Sequence, residues 1–180
     1  VTGRKDRRFQ AKSSQFPKVA LFSGERQEMA ATTKLGDVGE GKVIASLLAQ
    51  GFKVALPISS DSPIDLIALD PENGWRTIRI QVKARSVYKG KTEVSLKNCS
   101  STRRGLKYRF LDKRTIDVVA VYCPEADQVA YIPVAEIEGR TVSLRLDATR
   151  NCQEKGIRYF RDYSSLKQAV SSETIRPTPD

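Results

Sequence analysis

The stretch IDLIALDPENGWRTIRIQVKAR, residues 64–85, constrains the fold more than any other part of the chain. Its second half, 75–84, alternates between polar and apolar residues from Thr77 on, and a period of two belongs to a β-strand. Its first half is a short apolar, β-branched run, and Asp70-Pro71-Glu72-Asn73-Gly74 between the two carries turn chemistry. The reading is two antiparallel strands joined by a tight turn. Along the second strand Ile78, Ile80 and Val82 share one face, while Thr77, Arg79, Gln81 and Lys83 share the other. A polar face on a half-buried strand normally ends in solvent. Here Asp65 lies on the partner strand, so a carboxylate, an amide and an ammonium are expected to meet at one open edge.

Upstream, residues 33–50 read as a helix with Val38, Ile44, Leu47 and Leu48 as its apolar stripe, closed by a glycine cap at Gly51–Phe52. Glu40 precedes Ile44 by four residues and Leu47 by seven, which puts it on that stripe. A buried carboxylate needs a cation, a basic partner or a role. Gly36, Gly39 and Gly41 around it weaken a helix by roughly 1 kcal/mol each relative to Ala and are expected to let a backbone or a substrate come close.

These four groups have a chemistry in common. Phosphodiester hydrolysis asks for a cation on a phosphate oxygen and for charge that offsets the pentacovalent state. Magnesium prefers one or two carboxylates completed by neutral oxygens and water. Asp65 suits the main ligand, the Gln81 amide oxygen a neutral one, and Glu40 a second carboxylate. Lys83 suits a group that positions or deprotonates the attacking water and offsets negative charge. An exposed strand face with Asp65 as a strand-start cap would account for the same spacing.

Composition narrows the field. The chain has no histidine, which excludes histidine-dependent nucleases, zinc fingers and Ser-His-Asp triads. Its three cysteines, Cys99, Cys123 and Cys152, are far apart, which speaks against zinc sites and disulfide frameworks and fits a reducing cytosol. No apolar run is long enough for a bilayer and no secretory signal is expected. Net charge is +10 and unevenly placed. Residues 76–91 carry Arg76, Arg79, Lys83, Arg85, Lys89 and Lys91 without an acid, and 103–114 carry Arg103, Arg104, Lys107, Arg109, Lys113 and Arg114 against Asp112 alone. Such clustering suits a polyanion, with Arg85, Lys89, Lys91, Arg103, Arg104, Lys107 and Arg109 as candidate DNA contacts; a soluble basic surface without a partner is the plainer alternative.

The organisation that follows is a basic flexible arm over 1–31, one α/β domain over 32–170 and a disordered tail over 171–180. Further strands are expected at 52–58, 92–97, 115–122, 128–133 and 141–146, a helical turn at 134–138 and a closing helix at 162–170. Residues 98–114 read as a basic loop, anchored by Phe110 and Leu111. One helix, a run of mostly adjacent strands and a terminal helix describe a mixed sheet.

A helical Glu40, then Pro63-Ile64-Asp65, then Ile80-Gln81-Val82-Lys83 resembles the core of the PD-(D/E)xK nuclease superfamily. More narrowly it is similar to the branch that includes the cyanobacterial group I intron-encoded homing endonuclease. Residues 35–40 (LGDVGE), 55–59 (ALPIS), 119–124 (VAVYCP), 131–133 (YIP) and 151–158 (NCQEKGIR) carry the likeness, which covers about 33–164. Two departures stand out: Ile64 separates Pro63 from Asp65, and Gln81 stands where most members carry an acid. The resemblance implies a restriction-endonuclease-like mixed β-sheet flanked by helices and a magnesium-dependent endonuclease acting on double-stranded DNA. Its products would carry 5′-phosphate and 3′-hydroxyl ends, and a double-strand cut implies a homo-oligomer, a dimer or tetramer. Asp65, Gln81, Val82 and Glu40 form the implied metal set, with Lys83 completing the catalytic one. A site-specific homing-type enzyme, a structure-selective nuclease of the Holliday-junction type and an inactive DNA-binding relative all share this core.

Overall fold

The computed structural model describes residues 21–59, 62–102, 105–148 and 156–171, with side chains omitted over 21–33, 98–102 and at 106, 107 and 109. The chain opens with helix α1, Leu21–Ala49. Among the described residues it already runs from Leu21, ahead of Thr33, so residues 21–31, read as part of a flexible arm, are helical. The reason is local: Glu25-Arg26-Gln27-Glu28-Met29-Ala30-Ala31 consists of strong helix formers but shows no apolar period. Gly51, at φ 90°, ends the helix, and the Phe52 N–H returns to the Leu47 carbonyl at 3.1 Å.

The alternating stretch forms the hairpin that its pattern predicts. Strand β2, Leu66–Asp70, pairs antiparallel with β3, Arg76–Ala84, from Leu66 opposite Ile80 to Asp70 opposite Arg76. The Asp70 carboxylate caps the intervening turn by accepting from the Glu72 N–H and the Asn73 amide, at 3.1 and 2.6 Å. Gly74 and Trp75 then take positive φ. Short β1, Lys53–Ala55, flanks β2, and β3 runs parallel to β7, Val118–Cys123, which pairs antiparallel with β8, Gln128–Pro133. The order β1-β2-β3-β7-β8, with one parallel pair, is a mixed sheet.

Two cores lie on its two faces. Ile78, Ile80 and Val82 join Val118, Ala120 and Tyr131 beneath Val43 and Leu47 of α1 and Leu166, Ala169 and Val170 of the closing helix α2, Leu166–Ser171. On the opposite face Val119, Val121, Ala130 and Ile132 meet Val94, Val142 and Leu144. Those last three come from a second, two-stranded sheet of β4, Lys91–Ser95, and β9, Thr141–Arg145. Gln81 and Lys83 lie opposite Val119 and Val121, so this end of the polar face of β3 enters a covered layer, while Thr77 at its other end stays exposed. That is the main correction to the hairpin as read from its pattern.

Two further expectations change. Residues 98–114 are not a loop: β5, Lys97–Thr102, and β6, Gly105–Phe110, form a separate antiparallel hairpin. Leu106, Tyr108 and Phe110 alternate with polar residues, a strand signal that the basic count hides. Leu111 anchors its end in the second core, whereas Phe110 remains exposed under the Arg140 guanidinium. The helix expected at 162–170 divides into a 3-10 turn, Phe160–Tyr163, and α2. Among the described residues no helix is long and apolar enough to cross a membrane, and Cys123 is a buried free thiol.

Candidate active site

Register brings the first pair together. With Leu66 opposite Ile80, the preceding Asp65 stands across from Gln81, and its N–H donates to the Ile80 carbonyl at 3.0 Å. Pairing between β2 and β3 ends there, which would leave the next outward N–H of β3, that of Val82, without a strand partner. The Asp65 carboxylate accepts it at 2.7 Å and accepts a second hydrogen bond from the Gln81 amide nitrogen. In an extended residue N–H and C=O leave on the same edge, so the Val82 carbonyl also faces this side. Burial pushes the Asp65 pKa up, against the Val82 N–H, the Lys83 charge and the Gln81 amide, which pull it down.

Gln81 is only 4% exposed, and its buried amide oxygen has no hydrogen-bond partner among the described residues. Such an oxygen costs on the order of 1–3 kcal/mol when nothing occupies its lone pairs. Lys83, two residues along the same face, has its pKa lowered by burial, with Asp65 opposing that shift and Arg85 adding to it.

Glu40 arrives from α1. A Cβ built on Gly39 would stand 2.8 Å from the Ala84 Cβ and 3.7 Å from the Tyr122 Cβ, so the helix backbone lies directly on β3 and β7 at this point. The contact line is Gly39, Val43 and Leu47; Val38 and Leu48, assigned to the apolar stripe from sequence, are 44% and 52% exposed. Glu40 therefore sits half-buried at the border of the contact, not at its centre. Hydropathy could not find this line, because its closest member is a glycine. Gly36 and Gly41 approach nothing. Burial raises the Glu40 pKa, and the Asp65 and Asp37 carboxylates raise it further.

A PD-(D/E)XK endonuclease family profile matches residues 30–166, most of the chain. The chain belongs to that family. Among solved structures, the bacterial homing endonuclease I-Ssp6803I is similar in fold, with a TM-score of 0.59 and 20% identity over 80% of this chain and 99% of that one. No curated protein matches. The nuclease is thus built on the restriction-endonuclease-like α/β core that its motifs resemble.

The candidate metal donors brought together here are all hard oxygens. Among the described residues no group of three or more His, Cys, Asp and Glu side chains is placed to hold a metal ion by itself, so a cation here would draw on amide and carbonyl oxygens as well. Two carboxylates, Asp65 and Glu40, stand with the unpartnered Gln81 oxygen and the Val82 carbonyl. That set fits a hard divalent cation and no soft one. The buried oxygen without a donor is the observation that tests the fit.

Spacing gave no sign of one further group. The Lys42 ammonium reaches Asp127 at 2.8 Å, and the Tyr122 hydroxyl donates to the same carboxylate at 3.0 Å. The cluster ties α1 to the β7–β8 turn next to Gly39. The basic residues divide. Lys89 is exposed, Lys91 pairs with Glu93 at 3.1 Å, and Arg85 donates to the Ala84 carbonyl at 2.8 Å. Arg79 is held by Asp117 at 2.7 Å, a structural clamp. Arg103 and Arg104 lie outside the described residues. Lys107 and Arg109 are placed only by register, opposite Ser100 and Asn98.

Proposed function

We propose that this nuclease is a magnesium-dependent endodeoxyribonuclease that hydrolyses phosphodiester bonds in double-stranded DNA, as a site-specific, homing-type homo-oligomer. The reading rests above all on the buried Gln81 oxygen, an acceptor beside the Asp65 carboxylate with no donor among the described residues. Asp65, Gln81, the Val82 carbonyl and Glu40 would hold Mg²⁺, which when bound supplies Lewis-acid polarisation of a phosphate oxygen and an acidified water. Asp65 is kept in one orientation by its two N–H donors, so little reorganisation accompanies binding. Lys83 is depressed by burial and shares the face of Gln81. In its neutral form it accepts a proton from the attacking water; as a cation it offsets charge on the phosphate. Gln81 in place of an acid leaves the site one charge less negative, which gives Glu40 more of the electrostatic work.

The Lys89 and Lys91 turn and the residues of β5 and β6 supply positive charge for the DNA backbone. The test is cleavage of supercoiled plasmid with and without Mg²⁺ by the wild type and by Asp65→Asn. Magnesium-dependent nicking or linearisation that disappears in the variant is expected. A wild type that binds DNA but leaves it intact would make the protein a DNA-binding relative, and cutting confined to branched substrates would make it a structure-selective enzyme.

A further inference from the structure

Directly after the strand that carries Gln81 and Lys83, residues 85–91 hold an exposed aromatic ring on a fixed backbone. The Arg85 N–H donates to the Tyr122 carbonyl at 3.0 Å, Glu125 accepts from the Ser86 side chain and the Val87 N–H, and Val87 packs on the second core. Tyr88 and Lys91 then exchange both backbone hydrogen bonds, at 2.8 and 3.2 Å. Lys89 and Gly90 between them take φ 51° and 74°, the double left-handed geometry of a two-residue hairpin turn. Lys is an uncommon occupant of that region. The turn presents Tyr88, which is 69% exposed, with the Lys89 ammonium 5.2 Å from its ring centroid.

Charge selects the occupant. From 76 to 91 the chain carries no acid, the Arg145 guanidinium lies beside Gly90, and the two nearby carboxylates are engaged, Glu93 by the Lys91 ammonium and Glu125 by the Ser86 side chain and the Val87 N–H. Trp75, an exposed ring at the opposite end of the β2–β3 hairpin, lies away from Gln81 and Lys83. Five residues separate Tyr88 from Lys83, about 17 Å of extended chain at most, or about five base-pair steps. We infer that Tyr88 contacts DNA directly, packing its ring against the sugar of a nucleotide within about five steps of the cleaved phosphate while Lys89 neutralises the adjoining phosphate. The inference rests on the DNA-nuclease reading above.

The experiment is binding of the full chain to a short fluorescent duplex, without divalent cation and over a salt series, with thermal melts of each variant. Tyr88→Ala and Tyr88→Gln should weaken binding about five- to thirtyfold with the salt slope unchanged, and Tyr88→Phe should bind like the wild type. Lys89→Asn, which tolerates the positive φ, should lower the slope by about one unit. Tyr88→Ala and Tyr88→Gln proteins that melt normally and bind as tightly as the wild type would overturn the inference. Failure of the nuclease reading shows differently, as intact wild-type binding with no cleavage once Mg²⁺ is added. A wild type that binds no DNA overturns both.

Discussion

Replacing Gly39 by alanine tests how closely the geometry of the site depends on one helix–strand contact. The added methyl would sit 2.8 Å from the Ala84 Cβ, against about 3.5–4.0 Å for carbon atoms in contact. Ala84 has no rotamer with which to move away, so α1 or β3 must shift by about 1 Å. Overpacking of this kind costs about 1–3 kcal/mol, and alanine returns roughly 1 kcal/mol of helix propensity. The net loss is about 0–2 kcal/mol, or up to about 8 °C in Tm for a domain of this size. The larger effect falls on Glu40, which is carried by the shifted backbone. A misplacement of about 1 Å is worth up to about 100-fold in rate. Gly39→Ala is therefore expected to cut plasmid cleavage by about 10- to 100-fold at saturating Mg²⁺, with DNA affinity unchanged. Ala84→Gly in the same chain should restore most of the rate, because the remaining neighbours, the Ala84 Cα and the Tyr122 Cβ, stand at an ordinary 3.7 Å. Gly41→Ala, whose methyl would meet nothing, serves as the control. Full activity in Gly39→Ala, or no rescue in a double variant that folds, would refute the reasoning.

Other predictions concern the site directly. Lys83→Ala should abolish cleavage while lowering the salt slope of DNA binding by no more than about one unit, since it is one charge among many; equal loss of both would give Lys83 a purely electrostatic role. Gln81→Glu should retain Mg²⁺ binding, read as a thermal shift on metal addition, whereas Gln81→Leu should lose it; an active leucine variant removes Gln81 from the site. For pH, Asp65 and Glu40 are raised above ordinary values of 3.8 and 4.5, so the folded state binds more protons than the unfolded one across that interval. Their stability contribution therefore falls as pH rises through the raised values, and the ionised carboxylates destabilise the metal-free protein at neutral pH. Asp65→Asn should accordingly melt at or above the wild-type temperature at neutral pH without metal and lose the Mg²⁺-induced rise. A wild-type melting curve indifferent to Mg²⁺ at neutral pH would count against this. Cleavage should fail on the acid side at a pH above the ordinary carboxylate range, and any basic limb due to Lys83 should fall below its ordinary 10.5.

The sequence by itself determined the hairpin, because a side-chain period of two and a Pro-Glu-Asn-Gly turn admit little else, and β2 and β3 pair as that pattern requires. It also determined which residues of β3 share a face, so Gln81 and Lys83 were legible as neighbours before any coordinate. The family motifs and the absence of histidine pointed to a nuclease with hard-oxygen donors. Tertiary structure decided what the polar face meets. Val119 and Val121 lie beside Gln81 and Lys83 only because β3 pairs parallel with β7, a contact between segments far apart in sequence that no local period encodes. It also decided where Glu40 stands, since the closest contact of α1 runs through Gly39, a residue with no hydrophobic signal. The Lys42–Asp127–Tyr122 cluster, drawn from α1 and the β7–β8 turn, was invisible for the same reason. Periodicity reports which way a side chain points along its own strand or helix; what lies opposite is set by packing across the sheet, where the distances, the burial and the pKa shifts arise.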